Sequence, residues 1–400
     1  MATLKTPENC TADFSLIPIG SQSASFSKQV ADIQRLMQNS GLKFQMHATG
    51  TIVEGSWDQV SQIIGYAHTL IHQEGIARIQ TDIRITTSDT QSLTASVTDY
   101  PMEYGRRYHK YHEGCMCRPL RLSRGQPQLD RMDMQHHMLK LVNRGRLLFA
   151  SPQSPKKILD VGTGSGIWPI ELASEFPAAE IIGTDLSPVQ PNEVPENVHF
   201  LVDDVTEDEW LWGPNHFDII HAGHLSGALP SYKDLLRKIF KHLKPGGSVQ
   251  CDEFDPKPKC DDGTMPEEDP DKFSEYALQD LMDLHHRAGQ ASDPPRQFRV
   301  AHRLARWMRE VGFEDVQERV QKVPVNPWST DSHLRTIGSW NETNLLEAAA
   351  GWSYKPLTIL GWSKPEIEVF LVDVRKSIQN REVHAYLNYY VVTGRKPRSA

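Results

Sequence analysis

The chain has 400 residues, 38% of them hydrophobic and 24% charged, with a formal net charge of −8. That length suffices for two or three domains, and an acidic balance without a long basic stripe gives no footprint for nucleic acid. No apolar run approaches the roughly 20 residues that cross a bilayer, and the opening Met1-Ala2-Thr3-Leu4-Lys5 lacks the apolar core of a secretory signal. Ala12 to Gly20 then reads as a strand. Ser27 to Asn39 reads as a helix with Val30, Ile33, Leu36 and Met37 on one face, and Gly41 stops it. Lys43 to Glu54 reads as two strands about Thr49-Gly50. Ser56 and Gln59 make a capping box for a second helix, whose apolar face is Val60, Ile63, Ile64, Ala67, Leu70 and Ile71. Ala77 to Ile85 alternates as a half-buried strand does. The order β-α-β-β-α-β is ferredoxin-like, a small α+β domain over 1–88.

Ser88 to Pro101 is rich in Ser, Thr and Asp and reads as a linker, placed at 89–103, before a second domain over 104–400. That domain opens with an aromatic and basic block, Tyr104 to Gly114. Asp130 to Val142 reads as a helix carrying His136 and His137. The most informative stretch follows, Ile158-Leu159-Asp160-Val161-Gly162-Thr163-Gly164-Ser165-Gly166, a strand ending in an acid and a triple-glycine turn, with a helix pattern from Ile167 to Glu175. Glycines there let a ligand approach the main chain where a Cβ would clash. A dinucleotide fingerprint needs its third glycine three residues after the second, where this chain has Ile167. A carboxylate at Asp160 repels a pyrophosphate but suits an ammonium group. The turn therefore resembles that of class I S-adenosylmethionine methyltransferases.

The same spacing continues. Glu180 to Leu186 reads as a second strand whose Asp185 stands where an acid holds ribose hydroxyls. Val198 to Asp204 reads as a third, with Asp203 and Asp204 placed for an adenine amino group and Val205 for the ring. Phe217 to His221 reads as a fourth strand, Tyr232 to Leu243 as a helix stopped by Lys244-Pro245-Gly246-Gly247, and Ser248 to Phe254 as a fifth strand. Asp255 to Asp271 reads as an acidic loop, and 273–288 and 301–311 as helices capping the substrate side. Phe313 to Val325 reads as strand six. Ser363 to Glu366 forms a capping box for a helix with Ile367, Phe370, Leu371, Val374 and Ile378 on one face. His384 to Thr393 is the last strand, completing an α/β, Rossmann-like sheet of seven strands.

Two family resemblances attach to these segments. His47-Ala48-Thr49-Gly50-Thr51, Val53-Glu54-Gly55, Ala67-His68 and Arg78 to Ile83 make the first domain similar to the thiamine-binding-protein-like family, with Thr51, Glu54 and Arg78 matching its pattern. That resemblance implies a ferredoxin-like fold and self-association, so a homo-oligomer formed through this domain is expected. The Tyr-rich block, Trp168, Gly183 to Ser187, Phe217 to Ala222, Leu360-Gly361-Trp362, Asn380 to Tyr386 and Val391 to Pro397 resemble the LaeA-like branch of class I methyltransferases of filamentous fungi. The pattern departs at Cys115 to Gln128 and at Gly223, so acceptor choice is not carried over.

Methyl transfer from a sulfonium is an in-line displacement in which the protein mainly orients donor and acceptor. Asp160, Gly162, Gly164 and Gly166 are the cofactor residues expected at the methionine and ribose end, Asp185 at the ribose, and Asp204, with Asp203 as its rival, at the adenine edge. A base is needed only for a hydroxyl acceptor. His221 and His224, after strand four, and Tyr108, reaching from the N-terminal arm with His109, are the candidates. Asp252 and Glu253 end strand five at the same cleft. His136 and His137 read as packing or lid residues, and no metal is expected. Five scattered cysteines, Cys115 and Cys117 among them, fit a reducing compartment. The cytoplasm is the expected location, with the nucleus as the alternative. The reading is a methyltransferase acting on an oxygen or nitrogen of a small molecule in fungal secondary metabolism. The alternative is a LaeA-like regulator of secondary-metabolite genes acting through protein partners. A third reading makes the first domain the working part, binding a thiamine-like ligand.

Overall fold

The computed structural model describes residues 9–19, 27–47, 50–73, 76, 78–88, 102–103, 106–107, 126–149, 154–191, 193–267 and 273–398. The chain divides into two compact units, Met1–Tyr100 and Pro101–Ala400.

The first unit runs β1 (Asn9–Ile19), α1 (Ser27–Ser40), β2 (Lys43–His47), β3 (Gly50–Gly55), α2 (Trp57–Gln73) and β4 (Arg78–Ser88). Its sheet has the order β2-β3-β1-β4, antiparallel throughout, which is the ferredoxin-like arrangement. The capping box forms as the residue types dictate. The Ser56 amide donates to Gln59 Oε1 at 2.9 Å, and the Gln59 amide donates back to Ser56 Oγ at 3.3 Å. Val60, Ile63, Ile64, Ala67 and Ile71 of α2 then bury against Ala12, Phe14 and Val53 of the sheet. Leu70, expected on that face, is only partly buried. Thr51 is buried, whereas the side chain of Arg78 lies outside the described residues.

The second unit begins with a two-residue ladder, β5 (Met102–Glu103) against β6 (Arg106–Arg107), and α3 (Gln126–Val142). Next come β7 (Lys157–Val161), α4 (Ile167–Glu175), β8 (Glu180–Asp185), β9 (Val198–Val202), β10 (Phe217–Gly223), α5 (Tyr232–His242) and β11 (Leu243–Lys259). The chain closes with α6 (Ala277–Ala291), a short 3-10 turn (Ala301–Arg303), α7 (Leu304–Val311), β12 (Glu314–Pro324), α8 (Ser332–Ile359), α9 (Lys364–Gln379) and β13 (Tyr386–Arg395). The seven strands take the order β12-β13-β11-β10-β7-β8-β9. All are parallel except β13, which runs antiparallel to both neighbours. β7 lies inside the sheet between β10 and β8, with Ile158, Leu159, Asp160 and Val161 all buried, as a strand covered on both faces requires.

Three local expectations change. The stop after α5 is no loop: the chain enters β11 at Leu243, and the extra residues are taken up by a bulge between the Phe217–Leu243 and Ile219–Ser248 pairs. β11 also continues past Phe254, where Asp255 pairs with Asn388, so the acidic loop begins only after Lys259. Residues 326–359, to which the sequence assigns no element, hold the 28-residue α8. Its buried positions include Gly338, Asn341, Asn344, Gly351 and Ser353, so no apolar stripe marks it.

Candidate functional site

The site grows out of the carboxyl ends of the parallel strands. β7 delivers Asp160, and the chain turns through Gly162, Gly164 and Gly166 at φ of 70°, 62° and 84°, the left-handed region that favours glycine. At Gly166 a Cβ would also stand 2.4 Å from the Phe200 ring, so the turn excludes a side chain twice over. The Thr163 amide donates to the Thr184 carbonyl at 2.8 Å, tying the turn to β8. Asp185, at the end of β8, accepts from the Gly164 amide at 2.8 Å and the Ser187 amide at 3.1 Å. Its carboxylate thus orients the glycine turn from the side.

Beyond β9, Asp204 is buried and accepts from the Thr206 amide at 2.8 Å and the Thr206 hydroxyl at 2.7 Å. Asp203 is half-buried, and burial, reinforced by Glu207, pushes its carboxyl pKa up. Lys238 of α5 clamps this loop, its ammonium donating to the carbonyls of Val205, Thr206 and Glu207 at 3.2, 2.7 and 2.6 Å.

His221 on β10 faces Asp160 across the parallel pair. Its Nδ1 lies 2.7 Å from Asp160 Oδ1 and its Nε2 lies 3.2 Å from Asp252 Oδ2. Trp168 stacks on the imidazole, 4.0 Å between centroids and 5° from parallel. Burial alone would lower the pKa of this histidine, but hydrogen bonds to two carboxylates raise it to about 9. Both ring nitrogens therefore donate. His221, a candidate base, thus bridges two carboxylates through both of its ring nitrogens, an arrangement that favours the charged ring.

His224 has a left-handed φ of 56°, unusual for a residue with a side chain, and its amide donates to the Asp252 carbonyl at 2.8 Å. Its ring stacks near Tyr389, 6.1 Å away at 18°. Glu253 is buried and accepts from the Leu225 amide at 2.6 Å and the Ser226 hydroxyl at 2.8 Å. Burial raises its pKa to about 7, against the lowering effect of those hydrogen bonds.

Asp160, Gly162, Thr163, Trp168, His221 and His224 share the wall of one cavity of about 270 Å³. Helices α3, α6 and α8 supply its other walls, with Arg131, Met282, His285, Leu345 and Trp352 among the lining residues. Arg131 joins two of these helices, donating to Asn344 Oδ1 at 2.6 Å. Gly164, Gly166, Asp185, Asp203 and Asp204 are not part of that wall; they follow the strand ends from β7 toward β9. His136 lines the cavity but pairs with Glu171 at 3.1 Å, and His137 packs edge-on against Trp340. Tyr108, His109, Cys115 and Cys117 lie outside the described residues. The roof residues His285, Trp352 and Asn344 were invisible to sequence reasoning, because no local motif carries them.

A family model described as a methyltransferase domain matches residues 133–318, and one described as thiamine-binding protein matches residues 12–100. Methyltransferase pytC of Aspergillus terreus is 34% identical over 329 residues, covering 80% of this chain and 96% of that protein. Secondary metabolism regulator LAE1 of Cochliobolus heterostrophus is 35% identical over 319 residues, covering 78% of this chain and 99% of that protein. Among solved structures, Haemonchus contortus phosphoethanolamine N-methyltransferase 2 with phosphomonomethylethanolamine and S-adenosylhomocysteine is similar at 18% identity and a TM-score of 0.39, covering 66% of this chain and 53% of that one. The chain belongs to the S-adenosylmethionine-dependent methyltransferase family that includes pytC and LAE1, with a thiamine-binding-protein domain ahead of the methyltransferase domain.

Proposed function

We propose that the second unit methylates an oxygen or nitrogen of a small molecule held in the cavity, in fungal secondary metabolism. The observation that carries this reading is the cavity itself, which joins the glycine turn at the sheet to a helical roof where Met282, Leu345 and Trp352 stand among polar residues such as Arg131, Gln135 and Asn344. Its volume of about 270 Å³ is near the lower end for small-molecule sites.

The residues present fit the cofactor. The glycine turn leaves its main chain open to a ligand, and Thr163 Oγ1, in the cavity wall, is buried without a hydrogen-bond partner among the described residues. Asp160, Gly162, Gly164 and Gly166 would hold the methionine and ribose end, Asp185 the ribose, and Asp204 or Asp203 the adenine edge. The bound sulfonium supplies an electrophilic methyl group. His221 keeps Asp160 and Asp252 charged and fixed, which makes it a positioning residue. His224 and Tyr108 are the acceptor-side candidates that remain. The roof helices exclude water from the reacting atoms. The first unit is assigned to self-association, and its β4 shows Ile83 and Ile85 to solvent on one face.

Calorimetry of S-adenosylmethionine binding by the wild type and by Asp185→Ala tests the cofactor site. Losing the ribose contact should weaken binding by on the order of 1–3 kcal/mol. A folded wild type that binds no S-adenosylmethionine would overturn the reading. The name of LAE1 favours a second one, regulation of secondary metabolism through protein partners. A labelled methyl group that enters no component of a fungal metabolite extract, despite tight cofactor binding, would move the conclusion there.

A further inference from the structure

The charges around the cavity are sorted by their origin. Among the described residues that line it, the carboxylates Asp160, Asp252 and Glu253 all come from the sheet, whereas α3, α6 and α8 contribute none. α3 contributes cations instead, Arg131 and Lys140. Lys140 binds Glu171 of α4 at 2.8 Å, and His136 meets the same carboxylate at 3.1 Å, so this part of α3 rests on the helix that follows the glycine turn. Arg131 stands about 13 Å further back along the axis of α3, beside α8. It is only 6% exposed, and amides that line the cavity hold its guanidinium in one plane. Nη1 donates to Asn344 Oδ1 at 2.6 Å and to Gln135 Oε1 at 2.9 Å, and Nε donates to Gln128 Oε1 at 3.2 Å. The guanidinium carbon lies 5.6 Å from the centre of the Trp352 ring.

The side-chain oxygens of Gln128, Gln135 and Asn344 converge on Arg131, which turns the NH2 group of each amide to the opposite side. This end of the cavity is therefore rich in donors. It also carries a lasting positive charge, because a guanidinium keeps its proton at any physiological pH. A cavity polarised in this way sorts what it holds: the carboxylates of the sheet side suit the cationic end of the cofactor, and the Arg131 end suits an anion. Of the common anions a carboxylate matches the planar fork of arginine best. We propose that Arg131 is the centre of an anion subsite, and that the methyl acceptor is a carboxylic acid whose carboxylate is anchored there. The inference rests on the cavity being the acceptor site, and it deepens that reading by naming the acceptor's chemical class. The carboxylate is held on the part of α3 remote from the glycine turn, so it serves as the anchor. The methyl group goes to an oxygen or nitrogen elsewhere on the same molecule.

Pairs of probes of equal shape, each a carboxylate and its amide, isolate the charge: benzoate with benzamide, 2-naphthoate with 2-naphthamide, and hexanoate with hexanamide. Each is titrated into the full chain saturated with S-adenosylhomocysteine, and binding is read by NMR. The wild type is expected to prefer the carboxylate by about tenfold or more in at least one pair, the worth of a charge-assisted hydrogen bond, and the preference shrinks as salt is raised. In Arg131→Gln the preference falls below about threefold while the amide binds as before. Arg131→Lys, a point charge without the planar fork, keeps part of the preference. Should Arg131→Gln not fold, the reduced preference of Arg131→Lys carries the test. Equal binding within every pair, no binding of any probe, or a preference unchanged in these variants would overturn the proposal. The cofactor has a carboxylate of its own, and S-adenosyl-3-thiopropylamine, which lacks it, separates the two sources. If Arg131→Gln weakens binding of S-adenosylhomocysteine by about tenfold but leaves that analogue unchanged, Arg131 holds the cofactor and the acceptor subsite falls. A wild type that binds no S-adenosylhomocysteine removes the methyltransferase site itself, whereas intact cofactor binding without carboxylate preference removes only the role of Arg131.

Discussion

The sheet side of the cavity and its helical roof are built differently. On the sheet side the carboxylates are held within the fold, His221 standing between Asp160 and Asp252, Asp185 accepting from two backbone amides and Asp204 accepting from Thr206, while Thr163 Oγ1 has no partner among the described residues. The helical side mixes polar with apolar residues, Arg131, Gln135 and Asn344 standing beside Met282, Leu345 and Trp352. The sheet side rests on consecutive strand ends and one glycine turn, whereas the helical side is assembled from three helices far apart in sequence.

The largest effect is expected from breaking the sheet side at its centre. His221→Phe leaves two carboxylates buried side by side, and removing one partner of a buried ion pair typically costs about 3–5 kcal/mol. Urea unfolding followed by tryptophan fluorescence measures it; a loss below about 1 kcal/mol would show that the pair is not held as described. The wild type should also show the linkage. A histidine raised to about 9 contributes stability that is fully present below its unfolded pKa, near 6.5, and is lost as pH climbs through 9. His221→Phe should flatten the stability curve over that window.

Gly166→Ala comes next. The new Cβ meets the Phe200 ring and must adopt a left-handed φ, a combined cost of about 2–4 kcal/mol. Cofactor affinity should fall along with melting temperature, and a variant that melts and binds like the wild type would mean that the turn is looser than its geometry implies. Smallest is Glu253→Gln, near the boundary between the two sides. The Glu253 carboxyl is raised to about 7, so its contribution is present below pH 4.5 and is lost as pH rises through 7. The amide keeps the shape and never ionises, so the variant should lose that pH dependence while differing little from the wild type at pH 5. A pH profile parallel to the wild type's would sink the assignment.

The sequence made the sheet side legible because its signals are local. A glycine turn, an acid at each strand end and a capping box are written in consecutive residues, and they position Asp160, Asp185 and Asp204 wherever the strands go. The pairing of Asp160 with His221 was not legible, although both residues stood out, because 61 positions separate them and only the register of β7 on β10 joins them. The long reach of β11 was hidden by Pro245-Gly246-Gly247, turn-forming residues that the strand accommodates in a bulge. α8 escaped because it packs through glycine, serine and asparagine rather than through a stripe of leucines. With α8 went Asn344 and Trp352; His285 lies on a helix that the sequence placed on the substrate side without singling that residue out.

The hydrogen bond between Arg131 and Asn344 joins positions 213 residues apart. It lets the roof close only after nearly the whole domain has left the ribosome, since α3 is made early and α8 late. The glycine turn and its acids, all within about 50 residues of one another, can assemble much sooner from contacts of short separation. During synthesis the glycine turn can therefore take shape before the helical side of the cavity is complete.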